Sequence, residues 1–122
     1  MDRKSFERLV DEAVGDLPAV FREKLVNVAI IIEDYPSPAL IAQMGLSPDD
    51  TLFGLYEGVP LTQRGYFDQP ILPDRILIFQ KAIEDECDSP EEIKEEIKVT
   101  IVHEIAHFFG MTDEYLDELG YG

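Results

Sequence analysis

Apolar and polar positions along this chain run with a period that changes several times. Phe6, Leu9, Val10, Ala13 and Val14 recur at helical spacing and Gly15 stops them, which predicts a first helix from about Asp2 to Val14. Leu17-Pro18 opens a second, short helical segment to about Leu25. Val28-Ala29-Ile30-Ile31-Ile32 is a β-branched run bounded by Asp34 and the Pro36-Ser37-Pro38 turn, and it reads as a buried strand. Ala39 to Met44 reads as a short helical turn closed by Gly45. Leu52 to Glu57 reads as a second strand ended by Gly58-Val59-Pro60, and Arg75 to Phe79 as a third. Leu61 to Asp74 carries Gly65, Pro70 and Pro73 with few periodic signals and reads as a loop. The stretch from the third strand to Ser89 reads as a turn region.

The last third is the most legible. Ser89 can cap a helix, Pro90 suits its first position, and Glu92 completes a capping box. Acidic residues in that first turn complement the helix dipole. Ile93, Ile97, Val99, Ile101, Val102, Ala106, Phe108 and Phe109 then form a wide apolar face, and Gly110 ends the helix in the left-handed conformation. Asp113 begins a final turn or short helix through Leu116 and Leu119.

The length of 122 residues with 45% hydrophobic residues is that of a single globular domain over 1–122. Charge adds an asymmetry. The net charge is −16, of which residues 82–122 hold 2 basic and 13 acidic groups, a net of −11. Such a surface repels phosphate backbones and anionic lipid heads, so nucleic acid and membrane are not expected partners. One cysteine, Cys87, excludes an internal disulfide, and its acidic neighbours Glu84, Asp85, Glu86 and Asp88 disfavour a reactive thiolate. The charged N-terminus lacks an apolar signal-peptide segment and the longest apolar run, Val28 to Ile32, is too short to span a bilayer. The expected location is cytoplasmic.

The chemistry sits in the last long helix, at His103-Glu104-Ile105-Ala106-His107. Histidines four apart lie about 40° apart around an α-helix, so both imidazoles project from one face and can bind one metal ion. Glu104 lies about 100° from His103 and about 60° from His107. That offset suits a base acting on a water bound to the ion better than a ligand. A catalytic zinc takes three protein ligands, and the chain has only these two histidines. Gly110 reverses the chain, so Asp113 can return to the ion; it is assigned as third ligand, with Glu114 or Asp117 as substitutes if the turn runs differently. HExxH alone arises by chance in roughly one chain of this size in a few hundred. With Gly and Asp at fixed offsets the figure is on the order of one in 10⁵, which favours a built metal site over two ordinary histidines.

The motif resembles that of zincin metallopeptidases with an aspartate third ligand, as in snapalysin-type proteases. Most of the chain resembles the small bacterial family called minimal zincins. Asn27 to Asp34, Leu52 to Arg64, Leu72 to Phe79 and Val102 to Tyr121 carry the likeness. The resemblance implies an α+β fold, a small twisted mixed sheet packed against the active-site helix and N-terminal helices. It implies one Zn²⁺ per chain on His103, His107 and Asp113, Glu104 as catalytic base, and a peptide or protein as substrate. The chain departs from metzincins: no third histidine follows, and Met111 precedes Asp113.

In the expected reaction Glu104 takes a proton from the attacking water and passes it to the leaving amine. Tyr115, Tyr66, Arg64 and Arg75 are candidates for steadying the oxyanion, each read first as a structural or surface residue. Substrate is expected as an added strand, with Arg75 to Phe79 as the receiving edge. The acidic C-terminal third either steers cationic peptides to the site or is a solvated face. A zincin-like metal-binding module without hydrolytic activity is the alternative; a closed structural site lacks an obvious fourth ligand.

Overall fold

The computed structural model describes residues 1–58 and 73–121. The expected α+β class holds. Helix α1 spans Arg3–Gly15, capped by Asp2, whose carboxylate accepts from the Ser5 N–H at 2.7 Å. Helix α2 spans Ala19–Lys24. Strand β1 (Val28–Glu33) leads to a short helix α3 (Pro38–Gln43), capped by Ser37 and closed by Gly45 at φ +73°. Strands β2 (Gly54–Glu57) and β3 (Asp74–Phe79) follow, then helices α4 (Gln80–Glu86), α5 (Pro90–Phe109) and α6 (Asp113–Glu118). No helix among the described residues is long and apolar enough to cross a membrane.

The three strands among the described residues form a mixed sheet in the order β1-β3-β2, with β1 parallel and β2 antiparallel to β3. The central place of β3 follows from its sequence. Ile76-Leu77-Ile78-Phe79 is apolar on both faces, as a strand covered on both sides must be. Ile76 and Ile78 pack into the main core with Ile97, Ile101, Val102 and Ile105 of α5, while Leu77 and Phe79 pack with Ala82, Ile31, Leu40, Leu52 and Phe53 on the other face. Helix α1 covers α5 through Phe6, Val10 and Ala13, and Phe21 of α2 joins the same core.

Three expectations are corrected. The segment after β3 is the helix α4, which begins without any loop; Gln, Lys, Ala and Glu in Gln80–Glu86 are good helix formers, and that signal was there to be read. The β-branched run of β1 forms a strand, but Val28 to Ile32 are only half-buried, because β1 lies at the margin of the sheet rather than inside it. Arg75 to Phe79 cannot receive an added substrate strand, because β3 is already paired along both sides.

Candidate active site

Helix α5 is a 20-residue rod, about 30 Å long, and its ends are fixed as the sequence expects. Ser89 Oγ accepts from the Glu92 N–H at 3.2 Å, and Glu92 Oε2 reaches back to the Asp88 N–H at 2.6 Å, one residue beyond the usual capping-box partner. At the other end Gly110 adopts φ +68°, and the Met111 N–H bonds the Ala106 carbonyl at 2.9 Å, closing the helix. Thr112 then caps α6, its hydroxyl accepting from the Tyr115 N–H at 3.1 Å. Asp113 and Glu114 thereby occupy the first turn of α6, three and four residues past the Gly110 reversal.

His103 and Glu104 are half-buried and His107 is exposed. Beside them lies β2. A Cβ on Gly54 would stand 2.6 Å from Thr100 Cγ2 and 2.8 Å from the Leu77 carbonyl oxygen; one on Gly58 would stand 2.7 Å from the Phe108 ring. Between these glycines, the Tyr56 N–H donates to Glu104 Oε1 at 3.0 Å. Residues 54, 56 and 58 of the extended segment thus meet residues 100, 104 and 108 of α5, two residues of strand matching one turn of helix. The Phe79 N–H donates to the Phe53 carbonyl, which makes Tyr56 a residue whose N–H points away from β3. That direction is what lets it reach Glu104. The Tyr56 ring stacks on Phe108 at 4.0 Å and meets Phe109 edge-on at 6.0 Å, while its hydroxyl donates to Asp74 Oδ2 at 2.8 Å. Lys24 Nζ sits 4.6 Å over the Phe109 ring. Phe108 and Phe109, expected on the core face, are 48% and 42% exposed; α5 projects past the core at this end, and the two rings border the motif instead.

Close approach of β2 requires glycine at position 54, where one contact atom is backbone and cannot move aside. Gly54→Ala is expected to destabilise the fold by ~1–3 kcal/mol through overpacking. Urea unfolding would measure this, and an unchanged midpoint would contradict the seam.

His103 has its own partner. Its Nε2 lies 3.1 Å from the main-chain carbonyl of Tyr121. Glu96, two turns earlier on α5, is also near: burial raises its carboxyl pKa, partly offset by a hydrogen bond from Thr100 and by the field of His103. Burial first, and then Glu96, Glu92, Asp88 and Glu86, push the Cys87 thiol up, which agrees with an inert cysteine.

Of the residues singled out from the sequence, His103, Glu104 and His107 share the last two turns of α5, and Gly110 makes the reversal after them. Asp113 is exposed at the head of α6. Among the described residues no three of His, Cys, Asp and Glu gather closely enough to hold an ion. Arg75 pairs with Glu57 across β2 and β3 at 3.0 Å. Tyr115 is exposed on α6. Arg64 and Tyr66 lie outside the described residues. Tyr56 and Tyr121 were missed, because each acts through its backbone. The Gly54-x-Tyr56-x-Gly58 spacing was the available signal for the first, marking a strand face that another element approaches closely.

The sequence profile of the zincin-like metallopeptidases matches residues 25–122, which includes β1, the β2 seam and the whole motif. The chain belongs to this zincin-like metallopeptidase family. Among solved structures, a conserved hypothetical protein from Thermo thermophilus is similar, with a TM-score of 0.58 and 22% identity over 89% of this chain and 94% of that one. That likeness supports the fold. No curated protein matches the chain.

For a zincin-like chain the donor set fits zinc in kind. Two imidazoles stand one turn apart on α5, a spacing that lets both reach one ion. A third donor would come from the head of α6, where Asp113 lies exposed.

Proposed function

We propose that this chain is a zinc-dependent metallopeptidase that hydrolyses peptide bonds in a peptide or protein substrate. The observation that carries the reading is Glu104, a half-buried carboxylate held by the Tyr56 N–H between two histidines one turn apart. A structural site has no use for a carboxylate so placed. His103, His107 and Asp113 would hold the ion. Zinc, when bound, supplies a water of lowered pKa and polarises the scissile carbonyl. Glu104 performs the proton transfers: Oε1 is fixed by the N–H of Tyr56, and Oε2 takes the proton of the attacking water and delivers it to the leaving amine. Phe108 and Phe109 border the motif with partly exposed apolar rings. A cytoplasmic location, consistent with the single cysteine, goes with this reading.

A second reading is a zincin-like metal-binding module without hydrolysis, in which the Tyr56 N–H holds Glu104 in place but Glu104 does not act as a base. The two separate in one experiment. Purified protein is loaded with zinc, its metal content is measured, and cleavage of casein is followed with and without chelator. Stoichiometric zinc with chelator-sensitive cleavage supports the peptidase; stoichiometric zinc without cleavage supports the module. In the same assay, lysine-rich peptides are expected to lose several-fold more rate than acidic ones between low and physiological salt, because the acidic C-terminal third attracts them over about one Debye length, ~8–10 Å. Equal salt sensitivity would leave those acids as a solvated face.

A further inference from the structure

We infer that the apolar cavity beside α3 is a binding site for a small organic cation, a compact aromatic body carrying one ammonium group. The cavity lies between α3 and its flanking segments, 35–36 and 46–51, and has a volume of about 340 Å³, at the lower end of the range for small-molecule sites. Leu40 of α3 packs with Leu77 and Phe79, so α3 sits on the sheet face away from α5. The site therefore stands apart from the histidine motif and does not depend on the zinc reading. Ile41 is the buried residue of its lining, at 7% exposure, yet among the described residues it packs in neither of the two core clusters. An apolar guest in the cavity would give this side chain the dispersion contacts of an interior position.

The walls are set in advance. Pro36, Pro38 and Pro48 line the cavity with fixed φ angles. At the end of α3 the Gly45 N–H bonds the Ala42 carbonyl at 3.0 Å and the Leu46 N–H bonds the Ile41 carbonyl at 3.1 Å, a closure that places Leu46 in the lining. The Tyr35 hydroxyl donates to Asp85 Oδ2 of α4 at 2.7 Å, which ties down the tip of a half-exposed ring. Walls so fixed lose little freedom when a ligand arrives. Charge then selects the ligand. Asp50 is the charged residue of the lining, and among the described residues no Lys, Arg or His shares it. Its Oδ2 accepts from the Ser47 N–H at 2.8 Å, which orients the carboxylate and leaves Oδ1 to receive an ammonium. The rest of the lining suits an aromatic body, with the Tyr35 ring for stacking and the prolines and Ile41 for apolar contact.

The test uses the full nitrogen-15-labelled chain and amide NMR, with phenethylamine as the probe. The amine is expected to bind with a dissociation constant of about 1 mM, shifting the amides of Tyr35, Ile41, Leu46 and Thr51 saturably. Phenylpropionate, similar in shape but opposite in charge, is expected to bind about 10-fold more weakly. Ethylammonium has the charge without the ring and is expected to leave those amides unshifted. Asp50→Asn keeps an acceptor for the Ser47 N–H and is expected to weaken the amine by about 3- to 5-fold. Amides that stay unshifted with the amine at tens of millimolar overturn the proposal. So does equal binding of the amine and the carboxylate, or an amine affinity unchanged in Asp50→Asn, since either removes the choice of charge. Shifts confined to residues 82–122 overturn it as well, because they would mark loose attraction of any cation to the acidic third of the chain. The comparison of the three probes is made on the wild type, so it decides the matter even if the variant fails to fold.

Discussion

Glu104→Gln is expected to lower peptide hydrolysis by ~10²–10⁴-fold while zinc remains bound in a one-to-one ratio. Glutamine matches glutamate in shape, and its side-chain oxygen can still accept from the Tyr56 N–H. The seam between β2 and α5 therefore survives the change, and the histidines keep their place. What is lost is the ability to take a proton from water and give it to the leaving amine. Glu104→Ala would be a poorer test, since it also orphans the Tyr56 N–H beside the helix, and leaving a buried donor unsatisfied costs about 1–3 kcal/mol. Comparing turnover and zinc content of the wild type and Glu104→Gln separates chemistry from structure. Turnover retained by the variant would move the base elsewhere.

The second large effect concerns the ligands. His107→Ala is expected to reduce zinc affinity by ~10²-fold or more, because the total free energy of a zinc site is shared among few donors. His107 is exposed, so its removal costs little packing, and the melting temperature of the metal-free protein should stay close to wild type. The carboxylates of α6 can be sorted the same way. Asp113→Ala is expected to match His107→Ala, whereas Glu114→Ala and Asp117→Ala should bind zinc like the wild type. Loss of affinity in one of those two instead of Asp113 would reassign the third donor. Isothermal titration of the four variants reads all of this directly.

Helix limits and the motif were legible because their signals are local. Ser89, Pro90 and Glu92 announce the start of α5 and Gly110 its end, and the structure departs only in that Glu92 accepts from the Asp88 N–H instead of that of Ser89. The histidine spacing needed nothing beyond the helical period. Sheet order was not legible, since the runs Val28–Glu33 and Asp74–Phe79 look alike as apolar strands; which of them is central depends on partners far along the chain. Helix α4 was lost because β3 passes into it without a turn residue. Phe108 and Phe109 continue the apolar periodicity of α5, and periodicity cannot report that the core ends before the helix does. The backbone partners of Glu104 and His103 carry no residue-type signal of their own, since any amino acid but proline offers an N–H and every one offers a carbonyl; only the glycines flanking Tyr56 mark the first.

The sheet order also governs when the site comes into being. Parallel pairing of β1 with β3 joins residues 46 apart, from Val28 to Asp74, and Glu104 meets Tyr56 across 48 residues. Helix α5 closes only local hydrogen bonds and can gather early, whereas loop-closure entropy delays pairings of such separation. The histidines are therefore carried on an early-forming element, while the contact that fixes Glu104 arises from a late, long-range closure. Newly made chains are therefore expected to pass through a stage with a helical motif but no assembled site.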